Sequence, residues 1–476
     1  MRRLNNAALA ALALVLSAAP AAPQSGGVAP ANRVYASPPS GGAGKPSFRD
    51  LVGADLPLPF KSGTRSGNTS KFVTTTGTLT SSNCVRIDAD GNFVDAGAGC
   101  GGGDGSWGNA RVAITSAYTA GSGDCGSTIA LGGGAFYALT VSAASGYEST
   151  CVMVVANEDA ARGKKISVNG HGDFILWPKQ TLTIFASNNA WLVTPPQRWK
   201  LPANTTIYFD KTNGADTNDC LAAGAGNACE TPQRAWDIAS NEIDLNGRSI
   251  LLQSASGQTY TTTGYYLVQL SSVVGTGPTI SGGGGGAAEM IVFDGAGSTF
   301  KGSTGGDAFV SLTGVLNVPV KLQNMTISQG PSSALGGCVG ANVPGYIQIG
   351  TGVIFHDCVI SIFAATGGIV QILGDFTNLA GTTVSQQMLF DQQIGGNIQA
   401  AGYPITVTLT GSPNWSIAST VSSNFGLIWL QNVTFSGAST GTRYLATDFG
   451  VIITGGACAS LPGNAPGSAP SPGYCN

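Results

Sequence analysis

A single helix followed only by strands and turns is what most constrains this chain. Residues 205–245 open on a short apolar strand, Ile207-Tyr208-Phe209, and enter a turn rich in Asp210, Asn213, Gly214, Asp216, Asn218 and Asp219. Asx side chains there can bond their own backbone, and Gly214 can take positive φ. Thr231-Pro232-Gln233-Arg234-Ala235-Trp236 then predicts a helix, with threonine at the N-cap and proline at the first helical position. Trp236, Ala239 and Ile243 recur on one face. Everything C-terminal of this segment alternates apolar residues with Gly, Asn and Ser turns, so a boundary falls near residue 200.

Composition supports an all-β chain. Only 10% of the 476 residues are charged, while glycine reaches 70, against about 25% charged in ordinary globular chains. The net charge of −3 comes without any Lys/Arg cluster, so nucleic acid and anionic membrane are poor partners. Residues 1–21 read as a secretory signal: Arg2 and Arg3, an apolar run over 7–16, then Ala19-Pro20-Ala21. That run is too short to span a bilayer, and no later segment is apolar enough to do so.

Ten cysteines fall into five sequence-neighbouring pairs: Cys84 and Cys100, Cys125 and Cys151, Cys220 and Cys229, Cys338 and Cys358, Cys458 and Cys475. An even count in short loops, without zinc-type spacing, favours local disulfides in an oxidising compartment. The expected localisation is therefore secreted, or the outside of a particle.

Residues 22–60 read as a Pro/Gly/Ser linker ending in Pro46-Ser47-Phe48-Arg49-Asp50-Leu51-Val52-Gly53-Ala54-Asp55-Leu56-Pro57. Within it Phe48, Leu51, Val52 and Leu56 predict a turn of amphipathic helix. Residues 61–106 alternate β-formers with turns, Asp90-Gly91-Asn92 marking a hairpin and Gly101-Gly102-Gly103 a joint. Residues 107–199 hold strand candidates at 110–116, 136–142, 151–156, 165–168, 173–177, 181–186 and 190–194, a spacing that suggests a small β-sandwich-like module with Trp177 and Trp191 in its core. In 200–455, Leu322-Gln323-Asn324-Met325-Thr326-Ile327-Ser328 is echoed by Leu430-Gln431-Asn432-Val433-Thr434-Phe435-Ser436, the sign of a repeating architecture in which Asn324 and Asn432 could stack their amides. Residues 456–476 are a Pro/Gly-rich tail closed by Cys458 and Cys475, too polar to extend the repeat.

The order of strand, Asx/Gly turn, T-P-x-x-A helix and short strands over about residues 205–455 resembles pectate-lyase-like right-handed parallel β-helices. That resemblance implies an N-terminal helix capping the open first turn of the coil. The element from Pro46 to Pro57 is similar to one found in bacteriophage and prophage tail fibres. Together they imply a tail-fibre- or tailspike-like protein: an elongated homotrimer binding a bacterial or host cell-surface polysaccharide. A secreted pectate-lyase-fold polysaccharide lyase or glycoside hydrolase is the rival, and a structural adhesin a third reading.

With only His171 and His356 in the chain, His-dependent triads and zinc sites have few possible members. Glycoside hydrolysis needs two neighbouring carboxylates. Asp357, Asp375 and Asp391 lie 18 and then 16 residues apart, a spacing that could raise an acidic ladder on one face and could hold calcium. Asp210, Asp216 and Asp219 are a second candidate calcium set. Tyr346, Tyr403, Trp415, Trp429 and Tyr444 are the aromatics that could line a glycan surface.

Overall fold

The computed structural model describes residues 110–194, 196–262, 266–271, 290–304, 308–311, 318–330, 337–342, 344–381, 385–400, 402 and 404–476, with residue 78 and five earlier strands, 33–36, 47–50, 75–76, 83–87 and 93–99. The chain divides into two compact units, 1–102 and 103–476, inside the glycine run. Among the described residues it is mostly β, with parallel sheets and one short α-helix, as expected of an all-β chain.

In the first unit Arg33–Ala36 pairs antiparallel with Ser47–Asp50, setting Tyr35 opposite Phe48. The helical turn expected at Phe48 is thus a strand. The apolar spacing there is too short to separate the two periods, and Val34-Tyr35 supplies a β-forming partner from a stretch that reads as linker. Asn83–Ile87 and Phe93–Gly99 run antiparallel on either side of the Asp90-Gly91-Asn92 segment.

The second unit begins with two sheets that share a core. One orders Arg111–Ile114, Thr128–Leu131, Val152–Asn157, Thr181–Ser187 and Ala190–Val193; the other orders Tyr118–Ala120, Ala138–Val141, Lys164–Val168 and Gly172–Leu176. Strict alternation along Val152–Asn157 and Thr181–Ser187 buries every second residue. Ile129, Leu139, Met153, Ile166, Ile184 and Trp191 meet between the sheets. Trp191 donates its indole N–H to the Ser142 carbonyl at 2.6 Å; Trp177, expected in the same core, instead stacks on Trp199 at 5.4 Å and packs into the core of the parallel sheets.

Beyond residue 200 the pairing is parallel. Thr205–Phe209, Ile250–Ser254, Ile291–Thr304 and Val320–Gly330 lie side by side, the last two with register shifts between Asp294 and Ser298 and between Lys301 and Thr304. The last of these is long enough to pair with two strands, Tyr346–Ile349 through its first half and Val353–His356 through its second. Two ladders continue from there. The first runs Tyr346–Ile349, Ile369–Ile372, Asn397–Ala400, Leu427–Trp429, Val451–Ile453 and Tyr474–Cys475. The second runs Val353–His356, Phe376–Leu379, Ile405–Thr410 and Val433–Ser436. A third ladder joins Val268–Leu270, Phe309–Ser311, Gly337–Ala341, Ile360–Ala364, Met388–Gln392, Thr420–Ser422 and Tyr444–Ala446. From Tyr346 onward the chain visits the three in turn and returns to each one strand further along. Tyr474–Cys475 carries the tail into the first ladder despite its polarity, because ladder bonds come from the backbone and Cys475 is tied to Cys458.

The echoed asparagines stand at bends. Asn324 (φ 54°) and Asn432 (φ 69°) are left-handed, each between a first-ladder and a second-ladder segment. Asparagine tolerates that conformation better than most side chains, which accounts for its place in both repeats.

Thr231 caps the helix Pro232–Asp237, its hydroxyl accepting from Arg234 N at 3.1 Å. Ala235, Trp236, Ile238 and Ala239 are buried in the core of the parallel sheets, Trp236 stacking on Phe293 at 6.1 Å. Gly214 has no positive φ; it is required because a Cβ would lie 1.9 Å from the Cys229 carbonyl oxygen. Four disulfides join sequence neighbours: Cys125–Cys151, Cys220–Cys229, Cys338–Cys358 and Cys458–Cys475. Cys100 lies outside the described residues, and with it the Cys84 pairing. Among the described residues no helix is long and apolar enough to cross a membrane.

Candidate functional site

The first ladder presents an uncharged outer face that mixes amides, aromatic rings and aliphatic side chains. Ile347, Ile349, Val370, Ile372, Ile398, Ile428 and Ile452 are buried on its inner side. Alternation therefore turns Tyr346, Gln348, Gln371, Asn397, Gln399 and Trp429 outward, together with the aliphatic Ile369, Leu427, Val451 and Ile453. Parallel register puts Gln348, Gln371, Gln399 and Trp429 in one row. At about 4.8 Å per strand the row is about 14 Å long.

Side-chain hydrogen bonds hold it in place. Gln348 Nε2 donates to Gln371 Oε1 at 3.1 Å, and Gln399 Nε2 donates to the Tyr346 hydroxyl oxygen at 2.9 Å. Trp429 stands 42% exposed, its indole N–H on Gln431 Oε1 at 3.2 Å. Amides held in register with an aromatic ring at the end can meet hydroxyl groups spaced along an extended ligand. Of the expected aromatics, Trp429 belongs to this row and Tyr346, in the neighbouring column, is bonded to it. The glutamines were missed, although each occupies the middle of an apolar-Gln-apolar triplet, Ile347-Gln348-Ile349, Val370-Gln371-Ile372 and Ile398-Gln399-Ala400.

The other expected aromatics lie elsewhere. Trp415 is 2% exposed, in the core. Tyr444 is half-buried on the third ladder. Tyr403 lies outside the described residues.

The three aspartates of the expected acidic ladder do not share a face. Gly352 N donates to the Asp375 carbonyl at 3.3 Å, placing Asp375 beside the start of Val353–His356, whereas Asp357 follows the end of that strand. Five residues of extended chain put the two about 16 Å apart. Asp391 belongs to the third ladder, between Phe363 and Val421. It is 3% exposed. Burial pushes its carboxyl up to about 6, partly offset by the bond from Gln393 Nε2 to Oδ2 at 2.8 Å. Its Oδ1 has no hydrogen-bond partner. His356 Nε2 lies 3.7 Å from Asp357 Oδ2, and the neighbouring Cys358 is in a disulfide.

Asp210, Asp216 and Asp219 each serve a separate local structure. Asp210 Oδ1 accepts from the backbone of Thr212 and Asn213, and Oδ2 from Asn213 Nδ2. Burial works to raise its pKa; those bonds outweigh it and hold the carboxyl below its usual value. Asp216 accepts from the backbone of Glu230 and Thr231 and from the Thr231 hydroxyl, fixing the start of the helix. Asp219, fully buried, takes a two-pronged bond from Arg162 at 2.9 and 2.7 Å, together with the Gly163 N–H. Among the described residues no group of three or more His, Cys, Asp or Glu side chains could hold a metal ion.

Comparison with protein families, curated proteins and solved structures gives no match. The residue pattern of this face therefore has to carry the functional argument. It has no nucleophile and no carboxylate on the strands themselves, and its side chains are suited to holding a ligand by hydrogen bonds and ring contact.

Proposed function

We propose that this chain is an extracellular or virion-associated tail-fibre- or tailspike-like protein that binds a cell-surface polysaccharide. In this reading the region from 200 onward is a right-handed parallel β-helix, the helix at Pro232–Asp237 covers its first turn, and the two-sheet part before it is a sandwich-like module. The row Gln348, Gln371, Gln399 and Trp429, with Tyr346 bonded into it, carries the proposal. A linear glycan offers hydroxyls and ring faces over a comparable length, and an uncharged amide row suits them. Four disulfides agree with an oxidising compartment.

A glycan array probed with the full chain, its Trp429→Ala variant and its Gln399→Ala variant tests the reading. Binding that falls about tenfold in either variant, with unchanged melting, is expected. An array without hits, or binding that ignores both substitutions, refutes it.

A further inference from the structure

The corner leading from the third ladder into the first repeats one backbone shape. Its successive passes use Thr366-Gly367 (φ 53° and 80°), Ile394-Gly395 (47° and 70°), Asn424-Phe425 (50° and 63°) and Asp448-Phe449 (48° and 63°). The register of Ile369, Asn397, Leu427 and Val451 superposes these pairs. Backbone bonds from Gly395 N to Asn424 O at 3.0 Å and from Phe425 N to Asp448 O at 3.1 Å join the last three corners directly. Gly367, Gly395, Phe425 and Phe449 therefore occupy one column.

Left-handed φ suits glycine, and a bulky residue there is strained. At Phe425 and Phe449 the strain is not offset by core burial, since the residues are 73% and 53% exposed. Their rings instead stack on each other, centroids 4.8 Å apart and planes within 4° of parallel. Phe449 covers one face of Phe425. The other face is turned toward the Gly395 corner, where no side chain fills the next place in the stack. Ile394, 59% exposed, flanks that place. Asn424 and Asp448, both exposed, stand in the neighbouring column.

We infer that this corner is a sugar-stacking subsite, in which a pyranose ring of a neutral polysaccharide lies on the free face of Phe425 above Gly395. The aromatic face takes the apolar C–H side of the ring, and the Asn424 amide and Asp448 carboxylate bond its hydroxyls. Charge selects the class of glycan: residues 393–396, 423–426 and 447–450 contain no Lys or Arg, and Asp448 repels uronate or sialate groups. The subsite rests on the polysaccharide-binding reading and extends it. The strand Leu427–Trp429 begins two residues after Phe425, so the corner borders the amide row, within about 13 Å of the indole.

Phe425→Gly and Phe449→Gly test it, because glycine already holds the equivalent place at Gly367 and Gly395 and relieves the strain. The full chain, both variants, Phe425→Trp, Gly395→Phe and Trp429→Ala are titrated with neutral polysaccharides (mannan, β-glucan, galactan) and acidic ones (polygalacturonate, polysialate), with sedimentation run in parallel. Neutral-glycan affinity should fall about tenfold in Phe425→Gly and in Gly395→Phe, which fills the slot, and persist in Phe425→Trp, with melting unchanged or raised in the glycine variants. Acidic-glycan binding that is lost in Trp429→Ala but intact in Phe425→Gly overturns the subsite and leaves the wider reading standing. Oligomer dissociation in Phe425→Gly with glycan binding intact also overturns it, marking the rings as a contact between copies. Failure to bind any of these glycans overturns the subsite and counts against the wider reading.

Discussion

Replacing Asp391 by asparagine should stabilise the protein at neutral pH and do so in a pH-dependent way. The carboxyl is 3% exposed, one of its oxygens has no partner, and its pKa is pushed up from 3.8 to about 6. Each tenfold change in proton affinity is worth about 1.4 kcal/mol, so ionising Asp391 in the folded chain costs about 3 kcal/mol more than in the unfolded chain. The folded-state value lies above the unfolded one. The stability linked to this proton is therefore fully present below about pH 4, is lost as pH rises to about 6, and is absent at pH 8, where the buried carboxylate is charged. Asparagine carries no titrating proton. The difference in stability between Asp391→Asn and the parent should grow by about 3 kcal/mol in favour of the variant between about pH 4 and pH 8. Urea midpoints followed by tryptophan fluorescence at several pH values measure it, and subtracting the parent curve removes the contribution of every other carboxylate. Two curves that stay parallel across this range would refute the assignment of a raised pKa to Asp391.

Arg162→Ala should be severely destabilising, because it leaves Asp219, fully buried, charged and without its ion-pair partner. A loss of about 3–5 kcal/mol is expected, read as a fall in the chemical-denaturation midpoint; Arg162→Lys, which keeps charge but loses the fork, should fall between. Thr231→Ala removes the N-cap bond to Arg234 N and should lower stability by about 1 kcal/mol, measured the same way; a change below a few tenths would mean that Asp216 alone holds the helix start.

Features set by neighbours in sequence were the legible ones. Thr231 and Pro232 start the helix as expected, because capping acts within a few residues; Trp236, Ala239 and Ile243 are all buried, yet the α-helix ends at Asp237, a π-helical turn carries Ala239 and Ile243 opens a strand. The four described disulfides join the expected neighbours, since short loops leave few partners. Strands such as Val152–Asn157 and Thr181–Ser187 showed in their alternation. Thr128–Leu131 did not, because three of its four residues are buried and alternation disappears. Asn324 and Asn432 were visible as a repeat, yet their left-handed bends depend on ladders assembled from distant segments. The Phe425–Phe449 stack had the least signal. Asn-Phe-Gly and Asp-Phe-Gly read as ordinary turns until register brings residues 24 apart into contact.

The Trp177–Trp199 stack has a mechanical meaning for the second unit. Ile175 and Trp177 share one hydrophobic core with Leu201, Ile207 and Trp236, and beside Ile175 Arg162 is clamped onto Asp219. A seam sealed by both apolar and ionic contacts cannot act as a swivel. A pull applied to the parallel sheets would pass into the two-sheet part as through one stiff beam. The weak point under load would be sought at the ends of that beam.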